Sequence, residues 1–182
     1  GYTPTATGLH HNHVITEFLV NLTDTPHSVT YTVTPVNPVG GCSDGPSVDF
    51  VVWINPTPRV LPVVPAPQCD STTTNITLHS PSTFTDGVIT FRYSATAPAG
   101  ITGYTSSASN LPNNHVITDF LVNLTDSPQT VTYTVIPVSP LGCNDGPSVN
   151  IEVIVNPTPR IYPEPGDIIT ARFLKQEFFE FS

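Results

Sequence analysis

The chain has 182 residues, with 5 basic against 14 acidic side chains, a formal charge of −9 and one lysine, Lys175. Nucleic acids and anionic membrane surfaces are held by clustered Lys and Arg, so neither is expected as a partner. The 21 prolines and 11 glycines interrupt the chain too often for long helices, yet 38% hydrophobic residues suffice for small packed cores, and the length accommodates one or two domains.

The first predicted strand holds Val29, Tyr31 and Val33 on one face and Thr30, Thr32 and Thr34 on the other, the period-two alternation of a half-buried strand rich in β-branched residues. A loop, Pro-Val-Asn-Pro and then Cys42-Ser-Asp-Gly, follows, with Asp44-Gly45 read as a tight turn at positive φ. The next strand places Val48, Phe50, Val52 and Ile54 on one face. The apolar run Phe50 to Ile54 is far below the ~20 residues that span a bilayer, so no membrane insertion is expected. Residues 55–67, NPTPRVLPVVPAP, read as a semi-rigid polyproline II spacer. Further strands are predicted at Asn75 to Leu78, Val88 to Ala95 and Val116 to Leu124.

The strand pattern then recurs. NHVITEFLVNLTDTPHSVTYTVTPVNPVGGCSDGPSV from Asn12 returns from Asn114 as NHVITDFLVNLTDSPQTVTYTVIPVSPLGCNDGPSV, and both copies continue into NPTPR. His13 maps to His115 at an offset of 102; one residue drops at Gly40-Gly41, and Cys42 then maps to Cys143 at an offset of 101. The repeat is about a hundred residues long, and no counterpart of residues 66–102 accompanies the first copy. The expected organisation is an incomplete repeat at 1–60, a complete one at 61–161 and a tail at 162–182, all-β, each repeat a sandwich of short strands and the two strung end to end. With Gly1 first and no methionine, the chain reads as processed or trimmed.

A unit that opens with Pro-x-Cys at Pro67 to Cys69, contains Val-x-Tyr-Thr-Val, and closes with Gly-Cys-x-Asp-Gly-Pro and Val-x-Val-Asn-Pro-x-Pro resembles the PKD-like, immunoglobulin-like repeats of giant cell-surface proteins secreted by Bacteroidota, including gliding adhesins. The resemblance covers residues 1–161, and its most specific elements are Cys69, Tyr133, Cys143 and Asn156 to Pro159. It implies tandem Ig-like sandwiches, an extracellular or bacterial cell-surface location, and a stalk or adhesive role. It also implies a disulfide between Cys69 and Cys143, with the partner of Cys42 in the segment the first copy lacks. A bridge closing so long a loop contributes about 4 kcal/mol on the chain-entropy view and needs an oxidising compartment. The alternative is three buried free thiols.

Other chemistry is sparse. His10, His11 and His13 form a cluster of which only His13 repeats, and they read as a surface loop rather than a metal site. Asp24, Asp44, Asp86, Asp126 and Asp145 read as turn formers, without the spaced Asp-x-Asp of a calcium loop. No nucleophile elbow, zinc-protease helix motif or phosphate-binding loop occurs, so neither an enzyme nor a cofactor is expected. Asn21, Asn75 and Asn123 begin Asn-x-Thr sequons, and Asp70-Ser71-Thr72 resembles an O-glycosylation site of Bacteroidota, with Ser71 as acceptor.

Three functions fit this reading, with neighbouring repeats, copies of the same chain and surface glycans as candidate partners. The first is a structural or adhesive repeat of a secreted surface protein. The second is a self-assembling filament subunit. Val51 and Trp53 make the outward face of the first copy's last strand more apolar than Glu152 and Ile154 do in the second. The tail, with Ile168, Ile169, Phe173, Leu174, Phe178, Phe179 and Phe181, is about as long as one or two strands and would either insert into the incomplete unit of a neighbour or begin the next domain of a longer adhesin. The third is a carbohydrate-binding accessory module, against which the only tryptophan, Trp53, is replaced by Ile154 in the second copy.

Overall fold

In a computed structural model, which describes residues 1–40 and 42–162, the regular structure is β-strand apart from a 3-10 turn at Pro140–Gly142. Strands β1 (His27–Val33) and β2 (Val48–Ile54) form an antiparallel hairpin in which Tyr31 faces Phe50 and Val29 faces Val52.

The remaining strands build a sandwich. One layer is a five-stranded sheet in the order β3 (Gln68–Cys69), β12 (Val149–Asn156), β11 (Gln129–Val138), β6 (Thr90–Thr96), β8 (Ser107–Pro112). The opposing layer consists of β4 (Thr72–Thr73), β10 (Phe120–Asn123) and β7 (Ile101–Thr102) beside the pair β5 (Ile76–Thr77) and β9 (Val116–Ile117). Strand β11 buries Val131, Tyr133 and Val135, and β12 buries Ile151, Val153 and Val155, each set at every second residue, as one buried face of a sheet requires. These pack with Phe91, Tyr93 and Ala95 of β6 against Ile76, Ile117 and Leu121 opposite. The Tyr93 and Tyr133 rings meet edge to face at 5.7 Å, a favoured aromatic geometry.

The β11–β12 pairing repeats that of β1–β2 position for position: Tyr133 faces Ile151 as Tyr31 faces Phe50, and Val131 faces Val153 as Val29 faces Val52. The chain is all-β as expected, with three local departures. The expected strand Val116 to Leu124 is interrupted at Thr118-Asp119, because Asp119 turns into the interior, where its N–H bonds to Thr74 Oγ1 at 2.8 Å. The repeated Asp44-Gly45 and Asp145-Gly146 turns do not take up positive φ; Gly142 does, at 67°, as does Gly87 after Asp86, at 75°. Gly146 is required instead by close approach, since a Cβ there would lie 1.8 Å from the Pro58 carbonyl oxygen.

The third departure is the proline-rich stretch, which is no free spacer. Pro56, Pro58 and Val60 are buried alternately with exposed Thr57 and Arg59. The Leu61 N–H bonds to His79 O at 2.9 Å and the Arg59 N–H to Ser82 Oγ at 3.2 Å, so extended proline backbone is laid along the sandwich as part of its wall. Proline suits such an edge because it has no N–H to leave unpaired.

Candidate functional site: polar fastenings, a segment junction and an open apolar face

Two polar clusters recur in both copies and tie their strands together. In the sandwich the Asp119 carboxylate accepts the Tyr133 hydroxyl at 2.7 Å, the Thr105 hydroxyl at 2.7 Å and the Thr105 N–H at 2.9 Å. In the first copy Glu17 stands for Asp119 and accepts from the Tyr31 hydroxyl and, at 2.6 Å, from the Thr3 N–H. Tyr31 and Thr3 hold the Glu17 carboxyl below the usual carboxylate range. Burial, and then the bond to Asp119, raises the Tyr133 hydroxyl far above the ordinary tyrosine value, so this phenol keeps its proton and acts as a fixed donor.

The second cluster uses the sequons. Asn123 is fully buried, and its Nδ2 donates to Ser127 O at 2.9 Å and to Val155 O at 2.8 Å, while Thr125 Oγ1 donates to its Oδ1 at 2.7 Å. Asn21 repeats this, with Nδ2 donating to Thr25 O at 2.7 Å and to Ile54 O at 2.9 Å. At both sites the amide nitrogen that a glycan would occupy joins the end of the last strand to a turn. Asp70 closes the same pole, accepting from the Asn123 N–H at 2.7 Å and from the Thr158 hydroxyl at 2.8 Å, and these donors hold its carboxyl below the usual range. Ser71 next to it is exposed, with φ of 59°.

The acidic turn residues are engaged locally. Asp24 pairs with Arg59 through two bonds of 2.6 and 2.7 Å, and Asp145 with Arg92 at 2.6 Å. Asp44 accepts the Asn37 N–H and Asp86 the Gly87 N–H. His10, His11 and His13 are exposed, and among the described residues no three His, Cys, Asp or Glu side chains gather where one metal ion would bind.

The Cys69–Cys143 bridge is absent: Cys42, Cys69 and Cys143 are all free and exposed. Topology explains it. Cys69 pairs with Asn156, level with the Gln129 end of β11, whereas Cys143 follows the Val138 end. A ten-residue strand is about 30 Å long, and bridged cysteines need Cα atoms within about 7 Å.

The first copy meets the sandwich through a polar junction. Asn55 exchanges bonds with Thr85, accepting its N–H at 2.9 Å and donating to its hydroxyl at 3.2 Å. The Thr83 N–H bonds to Asp24 O at 2.8 Å, and Arg59, paired with Asp24, lies on the connector between them. At the far pole of the sandwich Asp126 and Arg160 occupy the equivalent positions, 3.9 Å apart, and Asp126 also accepts the Tyr162 hydroxyl at 2.8 Å.

The remaining feature is apolar. Ile15, Leu19, Tyr31, Val33, Phe50 and Val52 line an open groove of about 610 Å³ on the hairpin face that, in the second copy, is core. Phe50 is 56% exposed, whereas Ile151, its counterpart, is fully buried. Val51 and Trp53 stand on the opposite face, each more than half exposed. Their expected partners Ile168, Ile169, Phe173, Leu174, Phe178, Phe179 and Phe181 lie outside the described residues. Sequence reasoning noted Asn21 and Asn123 only as sequons and passed over Glu17 and Asp119; an acid fourteen residues before the strand tyrosine in both copies was the available signal.

The described residues thus form a β-sandwich closed by buried polar ties, with a polar junction to a matching hairpin. The PKD-like domain family model matches residues 3–58 and again residues 67–159, and the chain belongs to that family. Its domains are commonly structural, typically non-catalytic modules found in extracellular proteins. No curated protein matches the chain.

Proposed function

We propose that the chain is a stalk or adhesive segment of a secreted bacterial cell-surface protein, in which PKD-like units are set end to end and space a binding region from the cell. The supporting observation is the junction, where Asp24, Arg59 and Asn55 hold the first copy on Thr83 and Thr85, with the equivalent Asp126 and Arg160 at the opposite pole. Immunogold labelling of intact cells of the source organism, before and after surface proteolysis, tests it. Protease-sensitive label on the cell exterior is expected; label confined to the cell interior would refute it.

The open groove favours a second reading, a filament subunit whose incomplete first unit accepts the 168–181 tail of a neighbour as an added strand. Concentration-dependent polymers that vanish on deletion of residues 166–182 would support it, and polymers of unchanged length would sink it.

A further inference from the structure

The cysteines, placed too far apart to pair within a unit, are placed to pair between units. Cys69 lies on β3, beside Asn156 and one residue before Asp70, whose carboxylate accepts the Thr158 hydroxyl. The first-copy counterparts of Asn156 and Thr158 are Asn55 and Thr57, so a unit with its opening strand sets a cysteine beside Asn55 and Thr57. Two lines of contact lead from there to Cys143. Asn55 bonds to Thr85; two residues on, a Cβ on Gly87 would lie 2.6 Å from Pro140, and Pro140 begins the turn that ends at Cys143. Thr57 adjoins Pro58, whose carbonyl lies against Gly146 in the same loop.

We infer that Cys69 of one unit and the late-turn cysteine of the next unit form a disulfide across each junction, a covalent staple between successive domains. The inference rests on the end-to-end arrangement proposed above. It accounts for three exposed thiols that have no partner within reach in their own unit: Cys143 ends the turn whose Pro140 lies against Gly87 at the junction pole, and Cys69 stands at the pole where Asp126 and Arg160 repeat the junction pair. In the reaction two thiols lose two protons and two electrons as the S–S bond forms, and an exchanging disulfide such as oxidised glutathione takes them up, leaving as two thiols. The staple does not close a loop inside one domain; it prevents neighbouring domains from parting.

The test duplicates residues 66–102 ahead of Gly1, giving the first copy its own opening strand and a fourth cysteine. After oxidation in glutathione buffer and peptic mapping without reductant, the added cysteine is expected in disulfide with Cys143, with Cys42 and Cys69 still alkylatable. A Cys69–Cys143 bond within one unit, or four free thiols, would overturn the inference. Should the extended chain not fold, a peptide of residues 64–75 offered to the natural chain as its glutathione mixed disulfide gives the second readout. Coupling to Cys143 is expected about tenfold faster than to Cys42, which has the same loop without the adjacent strand edge; equal rates would overturn the staple. Neither result alters where the protein is found on the cell, so the stalk reading stands or falls separately.

Discussion

The two copies carry nearly the same strands, in the same register, with opposite fates for their apolar faces. Tyr133, Ile151 and Val153 are fully buried, whereas Phe50 and Val52 at the matching positions are 56% and 43% exposed and Tyr31 is only partly covered. The pairing is therefore local information, fixed by alternation and turn, while burial comes from the strands opposite. Strand β6 and the β4–β10–β7 and β5–β9 layer supply it in the second copy, and nothing among the described residues supplies it in the first. A lone two-stranded hairpin is marginal in water, so the polar ties of Glu17 and Asn21 and the junction on Thr83 and Thr85 carry a large share of its order.

Paired substitutions give the sharpest way to break this comparison. Ile151→Ala should destabilise the sandwich by about 3 kcal/mol in urea unfolding, through lost burial and a residual cavity. Its counterpart Phe50→Ala should change the same transition by less than about 0.5 kcal/mol; equal effects would mean that the groove is filled in solution. Next in size is Asn123→Ala, about 2 kcal/mol, because the Val155 and Ser127 carbonyls are left without their donor. Asn21→Ala should cost about half of that, since its site is only partly buried.

Smaller still is Tyr133→Phe, about 1 kcal/mol for the hydroxyl bonded to Asp119. This change also bears on pH. With its folded-state pKa raised, Tyr133 contributes stability that is complete below the ordinary tyrosine value near 10 and is lost above it, so the variant should flatten the alkaline limb of a stability–pH curve. The mildest effect lies at the acid end. The Asp70 carboxyl is held below the usual range, so its contribution is full above a pH of about 4 and fades as pH falls through the lowered value. Asp70→Asn should reduce that acid slope in chemical denaturation, and an unchanged slope would show that its bonds to Asn123 and Thr158 do not persist in solution.

Much of this architecture was legible in the residues. Alternation at Val131, Tyr133 and Val135 identified a buried face, and repetition supplied the counterpart of every strand in the hairpin. The two-residue strands β3, β4 and β7 carry too few residues for a period to show. The role of the connector was hidden because proline composition reports backbone conformation and is silent about what lies beside it. The cysteine pairing came from the family resemblance, which says nothing of strand direction, and the direction of β11 sets Cys69 and Cys143 at opposite poles. The role of Asn21 and Asn123 stayed hidden because Asn-x-Thr, met as a sequon, is also the pattern of an asparagine that binds the turn after it.

The parallel contact of β3 with β12 has a mechanical consequence. The chain enters the sandwich beside Pro58 at one pole and leaves past Asn156 at the other, and the stretch from Val60 to Cys69 runs in the same direction as β12. Tension applied to the two ends would draw β3 and β12 in opposite directions along the two-residue edge at which they pair. Their hydrogen bonds would then be strained together in shear instead of being opened one after another. Because forced unfolding is governed by the rate of crossing that barrier and not by equilibrium stability, such a domain could be modest in a denaturant titration and still hold under a pull.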